Sequence, residues 1–508
     1  MAGRHRVTSD RRELYANTIA SWTWSQGTLV VSILTVPLLT RLLSQEEYGL
    51  WIQLLSMSAL ATAADMGMSL VFLRRITDNA DSDRTGLMRS AAAFYQTSTT
   101  ILTTVLVIAC TIPGGLLSPY LRHTSMPLPA ALAVIAAIAV NLRCQTPALS
   151  LLAKGRMDLT QIFGAGPAVV GTLATVLTAY WFRTAAAVAF AYAAVEIAFD
   201  VALVITAHRY SPARRPVSRA GRHTFGWWAR LWYESTGVVM IDVVPTVSLL
   251  IGITVVSHVA GPAAAALYGV AGKVGSLVRR FITPFTESLY VSLCRATAAT
   301  SAVAALVIRL ATVALATGIT AAFVVVAAGP IGMQFVFGRS YGSGVWVVLV
   351  MILADTIRSI YRPFLRKIQS ENGIGSLRLW FVISMVAQFP LAVLAADRWS
   401  TVGVAITVLA CTLLFEAVPT AWKLSIGHRL PAGAGRPALG QALAVLGAAC
   451  LALLLAAGRQ RLGIFAVGFA AAGAVTTGLV ALHQVLNYLA KARFLRSSSL
   501  VATSGDET

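Results

Sequence analysis

Arg358 and Arg362 stand four residues apart, Lys273 and Arg280 seven apart, and Glu196 and Asp200 four apart, each pair set in an apolar stretch. On a helix those spacings bring both members to one face. Guanidinium groups bind phosphate oxygens through charge-assisted hydrogen bonds in a planar fork, so the basic pairs suit an anion of that kind. Two carboxylates one turn apart repel unless one keeps a proton or a cation lies between them. The acidic pair therefore suits H+ or Na+, and suits equally a hydrogen-bonded structural pair that retains one proton.

The elements that must position these groups are read from composition. Of 508 residues 57% are hydrophobic and 12% charged, where a soluble chain carries roughly 25% charged residues. Apolar runs of about 20 residues recur along the chain, enough to cross a bilayer as helices. The expected fold is all-α and polytopic, with about fourteen transmembrane helices. They are placed near 15–39, 48–73, 90–112, 128–152, 160–182, 185–207, 228–256 and 263–289, then 303–328, 343–364, 376–396, 401–422, 438–457 and 463–487. Residues 1–14 form a cytoplasmic segment, and the first apolar run reads as a retained span rather than a cleaved signal. The cysteines, Cys110, Cys144, Cys294, Cys411 and Cys450, are odd in number and lack metal-ligand spacing, so they read as buried thiols.

The net charge of +20 raises the question of nucleic acid. With the N-terminus inside, 25 of the 40 Lys and Arg fall in cytoplasmic segments and 7 in outer loops. That asymmetry predicts cytoplasmic N- and C-termini and accounts for the basicity with anionic membrane lipids as partner and no nucleic acid. The connecting loops are too short for a soluble catalytic domain, and the acidic string 78–83 reads as a solvated loop. The chain is expected to be a non-enzyme that needs no cofactor or metal.

The remaining eight basic residues lie at membrane depth: Arg143, Arg230, Lys273, Arg279, Arg280, Arg309, Arg358 and Arg362. Facing lipid near the bilayer centre each would cost about 2.5–3.5 kcal/mol, so they are expected to face the interior, a wet cleft or an acid. Arg230 and Arg280 are also near enough to the cytoplasmic end to snorkel, and Arg143 and Arg309 suit a structural ion pair as well as a ligand contact. The acids at depth are Asp65, Glu196, Asp200, Glu234, Asp242, Asp355 and Glu416. Helix depths allow Asp242 to meet Lys273, and Asp355 to pair with Arg358 or Arg362 along one helix. The candidate cleft cations are thus Lys273, Arg279, Arg280, Arg358, Arg362 and Arg143; the candidate ion-coupling acids are Glu196, Asp200, Asp242 and Asp65.

A repeat organises the helices. Glu196 and Glu416, His208-Arg209 and His428-Arg429, and Tyr48-Gly49 and Tyr268-Gly269 are each separated by 220 residues. Six helices per copy is an even number, so the copies are parallel and related by an axis along the membrane normal. The expected domains are an N-lobe at 15–209, a basic linker at 210–224, a C-lobe at 225–425, two further helices within 426–490 and a cytoplasmic tail at 491–508. Two such lobes would enclose a cleft near the bilayer midplane.

Asn17, the run VPLLTRLLSQEEYGLW at 36–51 and DMGM at 65–68 resemble the polysaccharide biosynthesis protein family. These are the lipid-linked oligosaccharide flippases of the multidrug/oligosaccharidyl-lipid/polysaccharide exporter superfamily. The residues that carry the likeness are Leu43, Ser44, Glu47, Tyr48, Gly49, Asp65 and Gly67. The resemblance implies a V-shaped bundle in the cytoplasmic membrane, alternating access and transfer of an undecaprenyl-pyrophosphate-linked sugar to the outer leaflet. It implies polysaccharide polymerase or assembly proteins as partners and a monomeric chain. Some lipid II flippases place an arginine in the first helix, whereas this helix is uncharged until Arg41, which favours another glycan. The alternatives are a multidrug efflux antiporter of the same superfamily and a membrane-embedded glycan polymerase or ligase.

Overall fold

A computed structural model describes residues 27–427, except 28–29, 32–33, 66–67, 70, 73–83, 113–114, 118, 120–126, 153–155, 211–224, 296–300, 371–374 and 376. The expected helices at 438–487, Asn17, Gly67, the 78–83 string, nearly all of the basic linker and both termini lie outside the described residues. So do the side chains of Arg230, Glu234, Asp242 and Cys294.

Every regular element among the described residues is helical. After α1 (34–42) come α2 (Gln45–Asp65), α3 (Arg84–Thr111), α4 (Pro127–Leu152), α5 (Met157–Phe182) and α6 (Ala185–Tyr210). Then follow α7 (Phe225–Val259), α8 (Pro262–Arg295), α9 (Ser301–Phe337), α10 (Val345–Ser370), α11 (Arg378–Cys411) and α12 (Val418–Gly427). Seven helical stretches among the described residues are long and apolar enough to cross a membrane. The starts of α2 and α8 differ by 217 residues, those of α4 and α10 by 218, and those of α5 and α11 by 221, each within three residues of the 220-residue spacing of the sequence matches.

Two of the helical runs are interrupted by a residue outside helical space. The gap expected between helices 11 and 12 is a single bend in α11 at Ser400, whose φ of 50° and ψ of −136° leave helical space. α9 bends at Gly329, where φ is 53°, and Pro330 then restarts the helix. Beyond α11 the chain makes one π-helical turn, Thr412–Ala417, before α12.

The described residues fall into two compact units, one drawn from Met1–Gly269 and Phe389–Val404, the other from Val270–Gln388 and Ala405–Thr508. In the first, α6 packs between α4 and α5, and α2 packs on α4 and α7. The 43–49 motif builds a corner of this unit, between α1 and α2. Ser44 caps α2, its Oγ accepting the Glu47 N–H at 3.2 Å. Instead of turning back on its own cap, the Glu47 carboxylate accepts the Ala185 N–H at 2.5 Å, at the first residue of α6. A carboxylate at a helix N-terminus is favoured by the dipole and the unsatisfied N–H groups there. Gln45 donates to the Ala263 carbonyl at 3.0 Å, and Gln53 to Thr254 Oγ1 at 3.1 Å.

Gly49 is required by packing. A Cβ there would press into the Pro262 carbonyl, 3.1 Å from its carbon, and lie 3.4 Å from the Ala266 nitrogen. Its repeat counterpart Gly269 abuts Ile52 on the other side of the same crossing. The flanking Tyr48 and Tyr268 are both fully buried. In the second unit α9 lies along α10, with Gly318 admitting Thr356, and Gly275 brings α8 against the Met351 backbone.

Candidate functional site

α10 carries most of the charge buried in the second unit. Asp355, Arg358, Ser359, Arg362, Arg366 and Gln369 recur at three- and four-residue intervals, which makes one stripe along the helix. All six are buried, and so is Lys367 beside the stripe. Arg362 is 4% exposed and Arg366 2%. Arg366 donates to Gln369 Oε1 at 2.8 Å, one turn on.

Arg358 holds Glu416 through two bonds, Nε to Oε2 at 3.2 Å and Nη2 to Oε1 at 2.9 Å. Tyr361 also donates to Glu416 Oε2, and Ser384 and Thr412 donate to Oε1 at 3.3 and 3.5 Å. The carboxylate is thus surrounded by donors from α10, α11 and the π-turn that carries it. A buried carboxylate needs that many partners, because an unsatisfied one bears its full desolvation cost. Arg358, expected in a cleft, is committed to an internal ion pair in this structure. Asp355, expected to pair within α10, instead approaches Arg279 of α8 at 3.5 Å.

Lys273, Arg279 and Arg280 lie on α8 and are half-buried, as is Arg309 on α9. Among the described residues no carboxylate forms an ion pair with Lys273. The segments 270–388 and 405–427 contain twelve Lys and Arg but only four acids, Glu287, Asp355, Glu371 and Glu416. Even with every acid paired, most of these cations would keep their charge. Ten of them are buried or half-buried, and seven of these, Lys273, Arg279, Arg280, Arg358, Arg362, Arg366 and Lys367, lie on α8 and α10.

The acids of the first unit lie in two places. Asp65 is engaged at the end of α2, where Tyr95 donates to Oδ1 at 2.6 Å and Ser69 donates from its N–H at 3.2 Å and its hydroxyl at 2.9 Å. Around it pack Met68, Phe72, Phe94 and Tyr95. This is a helix-joining role, and it accounts physically for an Asp at that motif position. Asp200, on α6, is 7% exposed; its Oδ1 faces the Asn141 amide of α4 at 3.5 Å. The Cys144 thiol donates to the Asp200 carbonyl at 3.6 Å. Glu196, one turn before, faces the Tyr192 hydroxyl, which also meets Ser58 of α2. The Tyr192 ring stands edge-on to Trp51 with centroids 5.6 Å apart. Arg143 is exposed. Among the described residues no group of three or more His, Cys, Asp or Glu is arranged to hold a metal ion.

Sequence reasoning passed over four contributors. Tyr361, Ser384 and Tyr95 are ordinary polar residues, and nothing in their spacing marks them as partners of Glu416 or Asp65. Arg366 lies two residues past the expected end of its helix at 364, although its four-residue step from Arg362 continues the stripe.

No protein-family model matches the chain, and no curated protein does. Solved structures do. The lipid II flippase MurJ in an inward closed conformation aligns with a TM-score of 0.60 at 10% identity, over 92% of this chain and all of its own length. An inward-facing multidrug resistance MATE family transporter of the MOP superfamily aligns at 0.56 and 10% identity, over 80% of this chain and 98% of its own. The Vibrio cholerae MATE transporter VcmN aligns at 0.51 and 11% identity, over 87% and 97%. The chain therefore has the fold of these membrane transporters.

Proposed function

We propose that this protein is a flippase that carries a lipid-linked oligosaccharide across the cytoplasmic membrane by alternating access between two six-helix lobes. The observation that supports this most directly is the excess of buried cations in the second unit, concentrated on α10 and α8. Twelve Lys and Arg stand against four acids in that unit, and a net positive unit of this kind suits an anionic ligand that enters and leaves. A pyrophosphate between lipid and sugar has the matching charge and geometry, and arginine offers it a planar fork. Lys273, Arg279, Arg280 and Arg362 are the proposed contacts; Arg358 serves chiefly to hold Glu416. The uncharged first helix supports a glycan other than the peptidoglycan precursor.

Multidrug efflux is the rival, favoured by the likeness to MATE transporters. Its usual cargoes are organic cations, which a positively charged wall repels. Proteoliposomes separate the two readings. The flippase reading expects the protein to move a fluorescent undecaprenyl-pyrophosphate glycan between leaflets and leave ethidium where it is. With Arg362→Ala or Lys273→Ala the rate should fall roughly 10-fold or more, since each charge-assisted bond contributes about 1.5–3 kcal/mol. Ethidium transport without glycan transport would establish the efflux reading instead.

A further inference from the structure

Two buried carboxylates of the second unit face arginines, and they are held in different ways. Glu416 receives two hydrogen bonds from Arg358 and further ones from Tyr361, Ser384 and Thr412. Asp355 of α10 meets Arg279 of α8 through a single approach, Oδ1 to Nε at 3.5 Å. At that length the contact is ionic rather than a hydrogen bond. The same oxygen is buried and accepts no hydrogen bond among the described residues. The Asp355 side chain is only 9% exposed, and a carboxylate so deep ordinarily collects donors, as Glu416 does.

The helix crossing shows how such a pair can open. Gly275 brings α8 against the Met351 backbone, and Arg279 and Asp355 each lie four residues further, about one turn past that contact. The contact fixes both backbones, so the long Arg279 side chain can swing off Asp355 while neither helix moves. Lys273 and Arg280 lie within electrostatic reach of one another and of Arg279, and Asp355 lies within reach of Arg280. Asp355 is the sole acid in the sequence of α10, so it is the one carboxylate that α10 sets against three cations of α8. One loosely held carboxylate lowers the repulsion among them without cancelling it. A phosphate oxygen would offer Arg279 the same charge with a geometry that fits its planar fork. We propose that Asp355 is a positioning residue that stands in for the phosphate of the cargo: it occupies Arg279 while the site is empty and yields it when the anion arrives. This role rests on the anionic-cargo reading above and adds the competitor that the chain itself supplies. Its consequence is a weaker resting affinity, since cargo binds only the fraction of molecules in which Arg279 is released. A carrier gains from that, because cargo held too tightly is not let go.

The test measures binding of inorganic pyrophosphate to the purified full-length chain, in nanodiscs of zwitterionic lipid, by isothermal titration calorimetry. Asp355→Asn keeps the shape and removes the competitor, so it should bind pyrophosphate about 10-fold more tightly than the wild type. A damaged fold does not produce a gain of affinity; circular dichroism and thermal unfolding check that the variant is folded. In an Arg279→Gln background the same substitution should change affinity by about 2-fold or less, because the group competed for is gone. An Asn variant that binds as the wild type does, or more weakly, overturns the proposal. So does an equal gain in the Arg279→Gln background, which would mark the field of the missing charge rather than exchange at one guanidinium. Binding by neither the wild type nor Asp355→Asn overturns the anionic-cargo reading itself, and the role of Asp355 with it. Should Asp355→Asn not fold, the wild type carries the test. Pyrophosphate should then shift an aspartate carboxylate band in infrared difference spectra of chain labelled with carbon-13 aspartate, and binding without such a shift overturns the proposal.

Discussion

At the scale of single residues, the best-defined feature is the shell around Glu416. Removing one member of a buried ion pair leaves the other charge uncompensated, at a cost of about 3–5 kcal/mol. Arg358→Ala should therefore depress thermal stability in detergent markedly, and Tyr361→Phe less, by about 1–3 kcal/mol for one lost donor. Removing Asp355 as well as Arg358 should restore little, because Asp355 faces Arg279 rather than Arg358. Recovery of the melting temperature in that double variant would contradict the pairing described. The sequence made Arg358 and Glu416 conspicuous, since charges in apolar runs always are. Their pairing was not legible, because it joins residues 58 apart in the chain through a π-turn that no spacing rule announces. Helical spacing suggested Asp355 as the partner, and tertiary packing overrode it. For Asp65 the motif position was visible, but the Tyr95 hydroxyl that fixes its role comes from the next helix.

At the scale of elements, helix existence followed from the apolar runs, and α4, α5 and α6 begin within a few residues of where hydropathy placed them. What hydropathy could not distinguish was a loop from a bend. Residues 397–400 carry Asp397 and Arg398 and so interrupt the apolar pattern, yet the backbone stays helical up to one residue with positive φ. A non-glycine residue in that region is strained by about 1–3 kcal/mol. Ser400→Gly should accordingly raise the melting temperature, whereas Ser400→Val should lower it. The crossing of α2 and α8 gives a sharper expectation. Gly49→Val places methyl groups where the Pro262 carbonyl already lies, so the helices must separate. Expression in the membrane should drop, and cysteine cross-linking between residues 45 and 263 should become inefficient. Unchanged cross-linking would mean that the crossing tolerates a side chain there.

At the scale of the whole molecule, the distribution of Lys and Arg predicts which side each loop faces. Cysteines introduced at Ser218 and Ser125 should label from the cytoplasmic and outer sides respectively, and labelling of both from one side would refute the fourteen-helix topology. The repeat was legible in three residue matches and reappears in the starts of six helices. The most recognisable stretch, Leu43 to Gly49, has a different kind of content. Ser44 caps its own helix, Glu47 is lent to the start of another, and Gly49 lets a third come close. Each of these contacts joins one helix to another or caps its own. A signature of this sort sorts chains by how their outer corners are joined, as a joiner's mark identifies a frame without telling what it is meant to hold. Two proteins that share it can differ completely in what they handle, and in this chain the proposed cargo contacts lie on α8 and α10, where the signature does not reach.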